Sequence, residues 1–330
     1  MRKKTDSKKI LITGATGFIG SHLAELCVIN GFNVVVFDRY NPINHWGWLE
    51  NSEYKFDLEI ILGDVRDYDS VSKAMKDCSA VFHLAALIGI PYSYVSPLGY
   101  IRTNVEGTYN VLEAAKNHGL EQVLITSTSE TYGTAQYVPI DENHFLVGQS
   151  PYAASKISAD HLALSYYRSF ELPVKIVRPF NTYGPRQSAR AVIPTIITQG
   201  LSGNKEIKLG KLSPTRDLTY VKDTCHGFLE IYNSDPLFGE VTNIGMNSEI
   251  SIGDLAKQIV DLMDLDICIV EDKQRIRPEN SEVERLICNN EKLLKKTNWK
   301  ASYNLINGLE ETITWMKNSL HLYKSELYHV

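Results

Sequence analysis

The sequence predicts an α/β fold, a doubly wound parallel (Rossmann) sheet followed by a smaller, irregular α/β unit toward the C-terminus. Three observations predict it. Short β-branched runs alternate with longer helix-patterned segments through the first half of the 330 residues. Those runs are almost continuously apolar, as in Val34-Val35-Val36-Phe37, which fits strands covered by helices on both faces. Gly14-x-x-Gly17-x-x-Gly20 closes the first run and opens a helical pattern, and glycines there let the backbone approach a pyrophosphate.

In chain order, residues 9–13, 33–38, 58–62, 80–84, 122–126 and 174–178 are the expected strands, with helices between them. Beyond Pro179 the rhythm changes. Residues 181–190 are rich in turn formers, a helix is expected near 192–201, and short strands near 207–209 and 217–221. The expected division is a dinucleotide-binding domain over 1–180 and a mainly substrate-binding domain over 181–330. Parts near 215–245 are expected to return to the first sheet. The absence of a Gly/Ser linker fits two units packed directly together.

Composition excludes several classes. A formal net charge of −5 gives no global basic field for nucleic acid or an anionic membrane surface. The five cysteines are scattered, with neither CxxC nor metal-ligand spacing, so no metal site is expected and a reducing cytoplasm fits. The basic N-terminus precedes an apolar run that glycines interrupt at once, which is too short for a secretory signal, and no later stretch is long enough to span a membrane.

Asp38 ends the second predicted strand, where a carboxylate accepts hydrogen bonds from an adenosine ribose and repels a 2′-phosphate, so NAD is expected over NADP, with Arg39 beside it partly offsetting that repulsion. Asp64 and Val65 follow the third strand, and Leu84, Ala85 and Ala86 close the fourth, at carboxyl ends where this architecture binds ligands. Tyr152 and Lys156 stand four apart and share a helix face. An ammonium beside a phenol, whose ordinary pKa is about 10, favours the phenolate that takes a hydroxyl proton. The fifth strand runs into Thr128-Ser129-Glu130. There Thr128 is placed to bind a reacting hydroxyl, and Glu130 to take a proton from carbon beside a ketone.

The glycine motif, Asp38, His83-Leu84-Ala85-Ala86, Tyr152-x3-Lys156 and Arg178-Pro179-Phe180-Asn181-x-Tyr183-Gly184-Pro185-Arg186 together resemble the extended short-chain dehydrogenase/reductase family of NAD-dependent epimerases and dehydratases. Trp46-Gly47-Trp48-Leu49, Ile90-Pro91-Tyr92-Ser93-Tyr94 and the stretches 134–142, 187–198 and 275–283 most resemble nucleotide-sugar 4,6-dehydratases of the legionaminic acid pathway. The resemblance implies catalytic roles for Thr128, Ser129, Glu130, Tyr152 and Lys156. It adds Thr16, Phe18, Ile19, Asn104, Thr126 and Pro179 to the cofactor set, and implies Asn181, Arg186, Val192, Arg216 and Arg277 as substrate contacts. The implied substrate is a nucleotide-linked N-acetylglucosamine, with UDP and GDP both open. The implied reaction is oxidation at C4, loss of water across C5 and C6, and return of hydride to C6.

Ser129 stands where many hexose dehydratases carry Asp. The Thr-Ser-Glu form resembles GDP-mannose 4,6-dehydratases and also UDP-glucuronate decarboxylases. Decarboxylases of that kind carry an arginine shortly before the Tyr, whereas this chain reads Val147-Gly148-Gln149-Ser150-Pro151, with no cation for a substrate carboxylate. A 4-epimerase and a non-catalytic NAD-sensing module are the remaining alternatives. In related enzymes, helices like those expected near 98–118 and 152–170 pair across a homodimer, and a homodimer is expected here.

Overall fold

In a computed structural model of the chain, the structure describes residues 8–323. The first seven residues, part of the basic segment weighed above as a signal, lie outside the described residues. Thirteen strands occur in chain order: β1 Lys9–Thr13, β2 Asn33–Arg39, β3 Leu58–Gly63, β4 Ala80–His83, β5 Gln122–Thr126, β6 Val174–Pro179, β7 Asn181–Tyr183, β8 Glu206–Leu209, β9 Thr215–Arg216, β10 Leu218–Tyr220, β11 Val241–Ile244, β12 Ile250–Ser251 and β13 Cys268–Glu271. The principal helices are α1 Phe18–Ile29, α2 Tyr68–Met75, α3 Ile90–Val95, α4 Pro97–Tyr100, α5 Gly107–His118, α6 Pro151–Phe170, α7 Val192–Leu201, α8 Val221–Tyr232, α9 Ile252–Leu262, α10 Glu291–Lys296 and α11 Leu305–Ser319. Among the described residues, no helix is long and apolar enough to cross a membrane.

Seven strands form one parallel sheet in the order β3-β2-β1-β4-β5-β6-β11, the doubly wound arrangement that the apolar runs predict. Alternate residues explain those runs. Ile10, Ile12, Val34, Val36, Phe82 and Leu124 point into a core shared with α1 and α8, while Leu11, Val35, Phe37, Val81, Val123 and Ile125 point into one shared with α2, α5 and α6. The order reverses between β1 and β4, so the carboxyl ends of these two strands open a crevice at the switch point.

Two expected elements are altered. The strand expected over 217–221 is present as the shorter β10, which pairs parallel with β7, and Asp217 separates it from the preceding β9, which pairs antiparallel with β12. Asp217 is fully buried between them and its carboxylate accepts hydrogen bonds from the backbone N–H groups of Met246, Cys288 and Ser248, so it satisfies loops instead of continuing a ladder. The helix expected over 98–118 contains a π-helical stretch, Ile101–Glu106, between α4 and α5. There Thr108 Oγ1 donates to the Asn104 carbonyl, and the Asn104 amide reaches back to the loop after β4. Wide turns of this sort recur at functional sites.

Candidate functional site

The crevice is built first from backbone. Gly14 leaves β1 with φ +72°, and a Cβ there would sit 2.7 Å from the Ala85 nitrogen. A Cβ at Gly20 would strike the Gly14 carbonyl. Gly17 is the N-cap of α1, with no side chain capping the helix, so the first-turn amides stay open to an anion. Phe18 and Ile19 pack that first turn on the core. The Asp38 carboxylate accepts from Thr16 N at 2.8 Å, Thr16 Oγ1 at 2.6 Å and Arg39 N at 2.7 Å, which fixes it beside the glycine loop.

Further along the crevice, Asp64 is forked by Arg66, which holds its carboxyl below the usual range, while Val65 is buried against Gly107. Leu84 N and Ala85 N donate to Thr13, which places Leu84, Ala85 and Ala86 along the opening. Asn104 accepts from Leu87 N at 2.8 Å and donates to Leu87 O and Ser155 Oγ, each at 2.9 Å, bracing this loop to α6. Thr126 Oγ1, at the end of β5, is buried without a protein partner, and Pro179 closes β6 beside Ile244. A cradle closed to Cβ atoms, an uncapped helix start, a fixed carboxylate and an orphaned hydroxyl fit a dinucleotide.

The candidate catalytic groups meet at the next strand end. Ser150 Oγ caps α6 by accepting from Ala153 N, with Pro151 at the first helical position, so Tyr152 and Lys156 fall on successive turns. Both are buried, Tyr152 at 7% and Lys156 at 4% exposure. Burial pushes the Tyr152 phenol above its ordinary value, and a hydrogen bond with Thr128 works the other way. Burial lowers the Lys156 ammonium, while the Asp160 charge one turn on opposes that. Glu130 lies close enough to act electrostatically on both Tyr152 and Arg216. Thr128 caps the 3₁₀ turn Ser129–Tyr132 that carries Glu130, and Ser129 is buried in it.

Beneath this edge lies a charge pair. Arg178 Nη2 donates to Asp160 Oδ2 at 2.8 Å and Arg178 Nε to Ser127 Oγ at 3.1 Å, while Ser127 Oγ also donates to Asp160. The guanidinium lies 4.6 Å above the Tyr132 ring. Asp160 was legible, since it continues the Tyr152, Lys156 face by four residues; the sequence reading passed over it.

On the far side, Arg216 and Arg277 converge on one carboxylate, that of Glu282, at 3.3 and 3.5 Å. Burial lowers Arg216 from its ordinary value. No local pattern marks Glu282 as their partner. Asn181 Oδ1 is buried without a protein partner, and Val192 opens α7. Arg186 departs from this group. Its fork lies on Glu25 of α1, both contacts at 3.0 Å, in the company of His22 and Cys225.

A dinucleotide cradle beside a Tyr-Lys pair, with the buried Arg216 and the half-buried Arg277 opposite, defines an NAD-dependent nucleotide-sugar enzyme of the epimerase/dehydratase type. Residues 11–312 match the family model described as GDP-mannose 4,6 dehydratase, and the chain belongs to that family. Three similar proteins carry three different reactions in their names. A UDP-N-acetyl-alpha-D-glucosaminuronate decarboxylase of Bacillus cytotoxicus is 32% identical over 94% of this chain and 98% of its own. The dTDP-glucose 4,6-dehydratase of Streptomyces venezuelae, solved with NAD bound, is 26% identical with a TM-score of 0.87, covering 96% of this chain and 99% of its own. The UDP-N-acetylglucosamine 4-epimerase of Methanobrevibacter ruminantium, solved with UDP-N-acetylmuramic acid, is 30% identical with a TM-score of 0.85, covering 96% of this chain and 100% of its own.

Proposed function

We infer that this chain dehydrates a nucleotide-activated N-acetylglucosamine, UDP- or GDP-linked, to its 4-keto-6-deoxy form, as in the legionaminic acid pathway whose enzymes it resembles. The observation that carries this reading is the buried Glu130, held in the turn capped by Thr128 and close enough to act electrostatically on Tyr152 and Arg216. An epimerase needs no base at C5, and a carboxylate held there has a use in elimination. The stretch Val147–Pro151 supports the same choice, because it offers no cation before Tyr152 for a substrate carboxylate.

In this reading Tyr152 takes the C4 hydroxyl proton, Lys156 stabilises the phenolate, and Thr128 orients the same oxygen. The 1–180 cradle would hold NAD, which would supply the hydride acceptor for C4 and the hydride donor for C6. The C4 ketone acidifies the C5 proton. Glu130 removes that proton and passes it to the departing C6 hydroxyl, so water leaves without a stronger acid at Ser129, and a solvent-derived proton is added at C5 when hydride reaches C6. Gly14, Thr16, Gly17, Gly20 and Asp38 hold the adenosine and pyrophosphate end, with Asp64, Val65, Leu84, Ala85, Ala86, Thr126 and Pro179 along the groove. Asn181, Val192, Arg216 and Arg277, in the 181–330 portion, hold the nucleotide diphosphate. Arg186 anchors its loop to α1. The chain works in the cytoplasm as a homodimer through the outer faces of α5 and α6, where Tyr109, Tyr167 and Phe170 are exposed; light scattering at micromolar concentration showing only the monomer mass would remove the dimer.

The test is incubation of the NAD-loaded protein with UDP- and GDP-N-acetylglucosamine in deuterated water. The expected product is lighter by one water and carries solvent deuterium at C5. An epimerised product of unchanged mass would replace dehydration with epimerisation.

A further inference from the structure

The segment that carries Arg277 and Glu282 is tied to the opposite wall of the crevice by a small cluster of side chains centred on Gln149. Gln149 lies just ahead of the α6 cap. Its Oε1 accepts from Thr134 N at 2.5 Å, and its Nε2 donates to Asn280 O at 3.2 Å and Glu282 O at 3.4 Å. Its own carbonyl accepts from Ser281 Oγ at 2.8 Å, and Ser281 Oγ shares a second hydrogen bond, at 2.5 Å, with Tyr94 OH of α3. Thr134 Oγ1 adds bonds of 3.4 Å to Glu282 O and 3.3 Å from Glu284 N.

Space for this arrangement is made by Gly133, whose φ is +65° and whose Cβ, if present, would lie 2.5 Å from Gln149 Oε1. The joint therefore needs an acceptor and a donor side by side at the tip of the side chain, reaching across a glycine. An amide supplies both. A guanidinium cannot accept from Thr134, and a carboxylate cannot donate to two carbonyls.

The elements joined are the ones the site depends on. Thr134 follows the 3₁₀ turn that carries Glu130, Gln149 precedes Tyr152, and Glu282 holds Arg216 and Arg277. Beyond Glu282 the chain continues as backbone bonds, Thr215 N to Glu284 O and Ile140 N to Ile287 O, so its downstream end is secured independently. Only 3₁₀ turns, Lys273–Arg275 and Glu279–Ser281, interrupt the irregular chain from Asp272 to Glu282. Gln149, Ser281 and Tyr94 are what fasten that stretch.

We propose that Gln149, with Ser281 and Tyr94, is the latch that seats the Arg277–Glu282 segment over the candidate catalytic edge, making Gln149 a positioning residue for the nucleotide diphosphate. This rests on Arg216 and Arg277 as the diphosphate grip proposed above. Gln149 touches no reacting atom in this account. Its effect falls on ground-state binding, because it sets the place of guanidinium groups that grip substrate and transition state alike.

The test uses the NAD-loaded full chain with Gln149→Met, which keeps the shape and removes donor and acceptor, and with Ser281→Ala as a milder second variant. Hydrogen exchange over residues 277–284 is expected to rise, UDP and GDP affinity to fall by about 10-fold for Gln149→Met, and KM to rise with kcat nearly unchanged. NAD affinity is expected to stay at the native value. Native exchange and native nucleotide affinity in Gln149→Met would overturn the latch, as would faster exchange with unchanged affinity. If both move as expected yet no N-acetylglucosamine nucleotide is dehydrated, the latch stands and the proposed reaction falls.

Discussion

The two walls of the crevice are made in different ways. The wall proposed to hold the cofactor is built mainly from backbone at the carboxyl ends of β1, β2 and β4, and its determinants sit close together in the chain: Gly14, Thr16, Gly17 and Gly20 in one loop and helix start, and Asp38 at the end of the next strand. The wall proposed to hold the nucleotide is built from side chains that arrive from distant stretches, with Arg216, Arg277 and Glu282 meeting only in three dimensions and Gln149 bonded to the same segment from another element. A backbone cradle is fixed by turn geometry and tolerates only glycine at its close approaches. A side-chain cluster is fixed by carboxylate and amide partners, and one substitution can loosen it without disturbing the sheet.

The largest effect is expected where the walls meet. Glu130→Gln keeps size and removes the base, so dehydration should fall by at least about 10²-fold while NAD and nucleotide binding persist. The reduced-nicotinamide absorbance should then accumulate on mixing with substrate, whereas Tyr152→Phe should give no such signal. Near-native dehydration by Glu130→Gln would place the base elsewhere and undo the junction.

Next comes the floor beneath both walls. Arg178→Ala leaves Asp160 buried without its charge partner, and a denaturant titration should show a loss of about 3–5 kcal/mol. A loss below about 1 kcal/mol, the scale of exposed pairs, would mean that the pair does not support the site.

Asp38→Ala separates the walls. NAD affinity is expected to drop by about 10-fold while NADP affinity holds or rises, and UDP affinity should not move. A parallel fall in UDP affinity would show that the walls are not independent.

The last test concerns the cofactor wall's own foundation and changes only a slope. His83 sits on β4 between the hydroxyls of Thr13 and Thr108, at 2.7 and 3.1 Å, and burial pushes it down to about 3. A histidine held neutral in the folded chain but ordinary when unfolded contributes stability above pH about 6.5, lost as pH falls toward the folded value, at no more than about 1.4 kcal/mol per pH unit. His83→Asn should flatten that acid-side slope in denaturant titrations between pH 6 and 4. An unchanged slope would assign it to other groups, of which His22, pushed down to about 4 by burial, is the first candidate.

The same contrast explains what the sequence made legible. The parallel sheet was readable because each strand carries its own apolar run, and the glycine turn and Tyr152-x3-Lys156 because their parts lie within a few residues. The nucleotide wall was readable only as a set of arginines. Arg216 and Arg277 join at Glu282, whereas Arg186, with nothing local to distinguish it from them, lies on Glu25. Asp217 likewise looked like the start of a strand, because the loops that its carboxylate satisfies, around Met246 and Cys288, come from elsewhere in the chain.

The order of the sheet also constrains synthesis. β6 takes its second neighbour from β11, so a nascent chain that has emerged only through Pro179 presents one side of that strand with its N–H and C=O groups unpaired until Val241–Ile244 follows. A chain cut between the two portions would keep that open edge permanently. Such a fragment is expected to associate edge to edge with its neighbours, and the α/β body completes itself only after Val241–Ile244 has emerged.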